Sequence, residues 1–330
     1  MNKVGRGSGP NPGATMFVGI DVAKREVVVA VWPSGETWTS ATTAAALRTA
    51  AKRLRRLAPQ LIVLEPSGGY ELPVLEALLD AALPVSLVLP ERVRDYAKSQ
   101  GQRAKTDALD ARILAQYAAQ LQAPRLAVLQ PAQRALVRLV MRRQQVEGML
   151  TAERQRLDQD SLYRDSPIRA DLQETIRYLE AKLHDLDRDL AAMIAAAPDW
   201  AATAALLRSV PGVGPVTAAT LLACVPELGT LSRHKIAALV GVAPIAQESG
   251  RWKGQRRITG GRSLVRRVLY MAALVASRYN PPLRDFYTRL RARGKTAKQA
   301  LTACMRKLLV LLNALLKTQE RWRAPTPTTA

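Results

Sequence analysis

The chain has 330 residues, 48% of them hydrophobic, and carries 49 Lys+Arg against 27 Asp+Glu, a net charge of +22. That length and apolar content exclude a disordered chain and leave room for two or three domains. The charge, with a pI near 10.8, points to a polyanionic partner, most simply nucleic acid.

The excess is uneven: from Ala201 onward there are 22 basic and 4 acidic residues (+18), leaving 27 against 23 (+4) for residues 1–200. Two cysteines, Cys224 and Cys304, in no CxxC spacing, argue against a disulfide scaffold and fit a reducing cytosol; the expected location is cytoplasmic and nucleoid-associated. With two histidines, a Cys/His zinc site is disfavoured, whereas hard-cation sites built from carboxylates stay open.

Residues 1–15 lack the apolar core of a signal peptide and read as a flexible lead-in. "MFVGIDVAKREVVVAVW" (16–32) reads as two strands joined by a short hairpin at "AKRE", and "GETWTSATT" adds a third. "AAALRTAAKRLRRL" is a basic-faced helix, and "LIVLEP" (61–66) a short buried strand. "GGY" then turns into the helix "ELPVLEALLDAA", "VSLVLP" (85–90) gives a fifth strand, and "ERVRDYAKSQ" leads to the helix in "AKTDALDARILAQYAA" (104–119). Three strands, a helix, then alternating strand and helix predict an α/β domain over 16–125.

The pattern changes near Pro131. "AQRALVRLVMRRQQVEGMLTAERQRL" is a long helix, and a second carries apolar residues at Ile168, Leu172, Ile176, Leu179, Leu183, Leu186, Leu190 and Ile194. Steps of three and four form a coiled-coil seam, so 126–200 is a helical hairpin, either pairing with a partner chain or serving as an intramolecular spacer; "APDW" (197–200) closes it. Residues 201–320 form a mainly α-helical domain and 321–330 a polar tail. No apolar run reaches membrane-spanning length, "LLVLLNALL" being too short, so no membrane partner is expected.

Asp107 and Asp110 share one helix face, with β-carbons about 5–6 Å apart; such like charges repel unless a cation sits beside them. Asp21 ends the strand "FVGID" and Glu65 ends "LIVLE", and ligands of open α/β sheets gather at carboxyl ends of strands. Four such oxygen donors predict a cage for Mg²⁺, with Mn²⁺ as substitute. Two ions ~3.5–4 Å apart can activate a nucleophile and stabilise a leaving oxygen in phosphodiester cleavage. Each acid also has a plainer reading: Asp107 and Asp110 as first-turn residues favoured by the helix dipole behind an N-cap at Thr106, Asp21 as a turn cap, Glu65 as an arginine partner.

"VGIDVAK", "LEPSGGYE", "RVRDYAKSQGQRAKTDALDARILAQYA" and "GVAPIAQESG" together resemble the DEDD transposases of insertion sequences, relatives of Piv-type DNA invertases. The resemblance covers most of 16–315, and "KTDxxDA" is its most specific element. It implies a RuvC-like, ribonuclease-H-type N-terminal domain in which Asp21, Glu65, Asp107 and Asp110 are catalytic and bind Mg²⁺. Ser67 stands where the family usually has threonine and Leu89 where "NP" is common; neither belongs to the tetrad.

"PGVGP" (211–215) between helical runs reads as a helix-hairpin-helix turn. Gly212 and Gly214 allow positive φ and successive amides facing one phosphate, or else form an ordinary tight connection. In "QESGRWKGQRR", Ser249 stands beside Arg251, Lys253, Arg256 and Arg257. A free serine is a poor nucleophile, and Ser-Gly alone is most simply a turn. The resemblance implies more: the serine of this motif is the nucleophile, forming a phosphoserine–DNA intermediate, in active sites built from both domains, often across protomers. The hairpin then serves dimerisation. Arg262, Arg266 and Arg267 of "GGRSLVRRVLY" are expected to meet phosphates, Trp252 to stack on a base or be buried, and Arg293, Lys295 and Lys298 to form a solvated face.

The residues and the resemblance together give a DNA recombinase moving its own element. Its partners are DNA (element ends and target), a bridge RNA that the resemblance implies, and copies of itself as homodimer or homotetramer. A junction-resolving nuclease with a structural Ser249, a non-catalytic nucleic-acid-binding protein and a sugar-kinase-like ATPase are the rivals; the last lacks a second phosphate loop.

Overall fold

Alternation along the first strands builds a two-faced sheet. The computed structural model describes residues 15–102, 106–121, 130–245, 248–249, 252–253 and 257–324, with backbone alone for 248–249 and 252–253. The chain divides into two units, Met1–Leu129 and Gln130–Ala330.

In the first unit β1 (Phe17–Val22), β2 (Glu26–Trp32) and β3 (Thr37–Ala41) form an antiparallel meander, and β4 (Leu61–Leu64) and β5 (Val85–Leu87) add in parallel, in the order β3-β2-β1-β4-β5. Val18, Ile20, Val22, Ile62 and Leu64 point to one face, covered by α1 (Ala44–Leu57) and α2 (Glu71–Asp80). Leu61 and Val63 point to the other, where Val93 and Tyr96 of α3 (Pro90–Ser99) and Ile113, Leu114 and Tyr117 of α4 (Asp107–Leu121) complete the core. β5 stops at Leu87, short of the expected 85–90, because Pro90 opens α3, a helix position that needs no N–H.

The second unit starts with α5 (Pro131–Asp160) and α6 (Arg169–Ala195), an antiparallel hairpin. Its distal core is Val146 and Leu150 against Ile176 and Leu179. The remainder is α7 (Pro198–Arg208), α8 (Pro215–Cys224), α9 (Arg233–Val240), two short ribbons described below, and α10 (Ser263–Tyr279), α11 (Pro281–Ala292) and α12 (Ala297–Thr318). The hairpin is not a separate body. Leu136, Val140 and Leu190 pack with Ala219 and Ala223 of α8, and Gln133 Nε2 donates to the carbonyls of Leu222 (2.7 Å) and Ala223 (3.1 Å). The segments expected as 126–200 and 201–320 therefore share one unit. α6 ends at Ala195, just before "APDW", whose Pro198 opens α7.

The α6 seam is spent inside the chain, covered by α5. Charges lock the same pair: Arg143 bridges Asp187 (2.6 Å) and Glu147 (3.0 Å), and Arg154 bridges Glu180 (2.7 Å). Ile168 alone of the seam stands outside, at 54% exposure. Among the described residues α12 is the one helix long and apolar enough to span a membrane, longer than the "LLVLLNALL" run indicated. Its Cys304, Met305, Leu308, Leu309 and Leu312 lie in the core of the second unit.

Candidate active site

Asp21 and Glu65 stand at one end of the first unit's sheet. β1 and β4 run parallel with Ile20 opposite Leu64, so Glu65, one residue past β4, continues the register opposite Asp21. Both are half-buried. By alternation Asp21 shares a face with Gly19 and Glu65 with Leu61 and Val63, the face that α4 covers.

Gly19 permits that cover. A β-carbon there would fall 2.6 Å from Leu114 Cβ and closer still to the Ala111 carbonyl and the Ala115 amide nitrogen. Ala30, opposite Gly19, belongs with Ala111 and Ala115 to a cluster of small buried residues. α4 thus lies directly on β1, and Asp110 immediately precedes the turn in contact. Thr106 caps the helix, its Oγ1 accepting from Leu109 N (3.3 Å), so the N-cap reading is met. Asp107 is exposed at the first helical position and Asp110 half-buried.

As donors the four carboxylates are suited to Mg²⁺. Among the described residues, however, no three of His, Cys, Asp and Glu are grouped closely enough to hold a metal ion, so the expected four-oxygen cage is not closed in this structure. Sequence reasoning assigned no role to Glu71, whose carboxylate binds the loop that follows Glu65. An acid at a helix start, one residue after Ser-Gly-Gly, was the available signal.

In the second unit Ser249 lies on β7 (Glu248–Ser249), which pairs with β8 (Trp252–Lys253), Ser249 opposite Trp252. At the base of this excursion β6 (Pro244–Ile245) pairs with β9 (Arg257–Ile258). Glycines pinch the base shut, for a β-carbon on Gly261 would meet Gly241 Cα at 2.6 Å. Arg251 and Arg256 lie outside the described residues, and Lys253 is described by its backbone alone.

The remaining cations divide. Arg262, expected at phosphates, instead clamps Glu227 through two bonds of 2.6 Å and donates to the Cys224 carbonyl at 2.8 Å. Burial alone would raise the Glu227 pKa, but the Arg262 hydrogen bonds and charge outweigh it and hold the carboxyl below its ordinary value. Arg266 also turns inward, donating to the carbonyls of Gly260 and Val240. Arg257, Arg267, Arg293, Lys295 and Lys298 are exposed.

In "PGVGP" the paired left-handed glycines are not found. Gly212 has φ +103°, but Gly214 is extended at φ −87° as the α8 N-cap. Gly212 is required by packing, since a β-carbon would sit 2.7 Å from Ala276 Cβ on α10. The Val213 amide is occupied by the Val210 carbonyl at 3.0 Å.

Comparison with known proteins covers both units. Residues 18–160 match a family model for DEDD transposases of IS110 type, and residues 204–288 match the model described as Transposase IS116/IS110/IS902 family. The pilin gene-inverting protein of Moraxella lacunata is 30% identical over 261 residues, 78% of this chain and 80% of that protein. The uncharacterized 43.6 kDa protein of insertion element IS110 from Streptomyces coelicolor is 35% identical over 138 residues, 41% of this chain and 34% of that one. Among solved structures, T. thermophilus RuvC with a Holliday junction substrate matches 34% of this chain and 100% of its own, at 16% identity and TM-score 0.29.

Proposed function

The chain belongs to the IS110-type family of DEDD transposases and is a DNA transposase; from that premise we propose that it moves its own insertion element through a phosphoserine intermediate, with its first unit acting as a ribonuclease-H-type (RuvC-like) metal domain. The observation that carries the reading is the shared sheet face: Asp21 and Glu65 at one register, and the helix bearing Asp107 and Asp110 laid on it across Gly19. The order β3-β2-β1-β4-β5, an antiparallel meander continued by parallel strands, supports the same domain type.

Asp21, Glu65, Asp107 and Asp110 would hold Mg²⁺, or Mn²⁺ in its place. The bound ion supplies Lewis-acid stabilisation of the attacking and leaving oxygens. Ser249 Oγ gives up its proton and attacks a phosphodiester phosphorus: an Oγ–P bond forms, one P–O bond to deoxyribose breaks, and the freed sugar hydroxyl takes a proton. Attack by a hydroxyl of another strand reverses the exchange, rejoining DNA and restoring serine. The serine ester conserves the phosphodiester's energy, so rejoining needs no separate energy source such as a nucleoside triphosphate.

DNA is held by exposed cations, among them Arg257 and Arg267, together with Arg251, Lys253 and Arg256 of the serine segment. Arg262 and Arg266 build the scaffold around them. A bridge RNA pairing with target and donor completes the reading, supported by the +18 of residues 201–330 and by the family resemblance. Self-association as a dimer or tetramer would use surfaces other than the α6 seam, which α5 already covers.

The test is adduct trapping. Full-length protein is incubated with end-labelled element-end DNA, the element's noncoding transcript and Mg²⁺, then denatured. A covalent protein–DNA band is expected, lost in Ser249→Ala and in Asp107→Ala. Cleavage without an adduct, unchanged by Ser249→Ala, would establish the junction-nuclease alternative instead.

A further inference from the structure

We propose that Glu71 is a positioning residue for Glu65, holding the turn that aims this carboxylate at the metal site; the inference rests on the metal reading of the four acids given above. β4 hands over to α2 through residues 66–70, and Glu71 is the first residue of α2. Its side chain is buried, with 7% exposure, and a single oxygen, Oε2, accepts three hydrogen bonds. They come from Gly69 N (2.8 Å), Ser67 N (2.9 Å) and Ser67 Oγ (3.2 Å).

A buried carboxylate is costly unless its charge is answered by donors, and bonds to a charged acceptor are shorter and stronger than neutral ones. Here the answering donors belong to the connecting loop. The loop is therefore tied to a residue anchored by Val74, Leu75, Leu78 and Leu79 of the same helix, all buried against the sheet. Glu65 sits between two fixed points: the fully buried strand Leu61–Leu64 before it and the stapled 67–69 backbone after it. Metal ligands must be held to within about 0.5 Å of their productive places. A five-residue loop with two consecutive glycines has no means of doing this without such a tie.

A helix-start acid also interacts favourably with the helix dipole and would stabilise α2 wherever the loop led. The two roles separate in a metal-binding measurement on the full-length protein, with Mn²⁺ as probe, read by electron paramagnetic resonance. Glu71→Ala is expected to weaken Mn²⁺ binding about 10-fold, the lower end for outer-sphere partners of metal ligands. The Mg²⁺ concentration for half-maximal DNA cleavage should rise by the same factor, with activity recovering at saturation. Glu71→Gln, whose amide oxygen has two lone pairs and can keep the two backbone bonds, should stay within ~3-fold of wild type. Ser67→Ala, which removes one bond and leaves the fold intact, should give a smaller shift in the same direction.

The Glu65→Gln background completes the test: there, Glu71→Ala should cause no further loss. If Glu65→Gln weakens Mn²⁺ binding and Glu71→Ala does not, Glu71 is a helix-start staple alone and the inference is wrong. If Glu65→Gln itself leaves Mn²⁺ binding unchanged, the metal reading fails and the inference falls with it.

Discussion

Replacing Gly19 with alanine tests whether the contact between α4 and β1 sets the site. The added β-carbon would stand 2.6 Å from Leu114 Cβ, where ordinary contact begins at 3.4 Å. The helix must therefore move off the sheet by at least 3.4 − 2.6 = 0.8 Å, and by more at the Ala111 and Ala115 backbone atoms, which lie closer. The neighbours cannot yield by changing rotamer, because Ala30, Ala111 and Ala115 are buried and have no movable side chain. Overpacking a core costs ~1–3 kcal/mol, and a clash with helix backbone belongs at the upper end. Gly19→Ala should thus lose about 3 kcal/mol in urea unfolding. A shift of about 1 Å or more in the helix that carries Asp107 and Asp110 should also lower metal-dependent cleavage about 100-fold. Gly148→Ala is the control: Gly148 lies inside α5 with open space around it, so alanine should add up to ~1 kcal/mol through helix propensity. A Gly19→Ala protein with wild-type midpoint and cleavage within threefold of wild type would refute the reasoning.

Arg262 and Arg267 should part company. Arg262→Ala, which strands Glu227, should cost ~2 kcal/mol of stability and leave the salt dependence of DNA binding unchanged; Arg267→Ala should spare stability and lower the log–log salt slope by about 0.9, as for one lost phosphate contact. Glu227, held below its ordinary value near 4.5, adds stability that is complete above that pH and is lost as pH falls through the lower folded value; urea midpoints in Glu227→Gln should fall less steeply below pH 4.5 than in wild type. Burial pushes both thiols, Cys224 and Cys304, up to about 11, against the weaker opposing pull of Arg262 and Lys307 respectively. At pH 8 about one thiol in a thousand is then thiolate, so a disulfide reagent should react slowly with native protein and rapidly, at two thiols per chain, in urea.

The elements were legible where a single segment determines its own state. α1 occupies the 44–57 run its basic face marked, and "VGID" and "LIVL" lie in the strands their apolar content indicated. Partner choice was the part hidden from the sequence. Alternation put Gly19 and Asp21 on one face but could not say that a helix 90 residues later would use Gly19 as its seat. A basic residue reads the same in sequence whether it meets a phosphate or, like Arg262, a carboxylate 35 positions away. Glycine permits a left-handed turn without demanding one, so Gly212 and Gly214 looked alike and proved different.

The α6 seam carries the same lesson into assembly. An apolar heptad-like stripe specifies that some helix will cover it, and the covering helix here precedes it by one short loop. Closing a short loop costs little entropy, so α5 competes for the stripe at a high effective concentration that a second molecule does not match. The cross-links Arg143–Asp187 and Arg154–Glu180 add further bonds that would be lost on exchange. Displacing α5 to pair two α6 helices would also strip Leu136 and Val140 from α8. Apolar residues left outside, among them Leu162 and Tyr163 at the hairpin tip and Tyr178 on α6, cost nothing of this kind to cover. A helix pair that has already spent its seam can join other copies by such surfaces without opening, and its closed form is then the same in monomer and assembly.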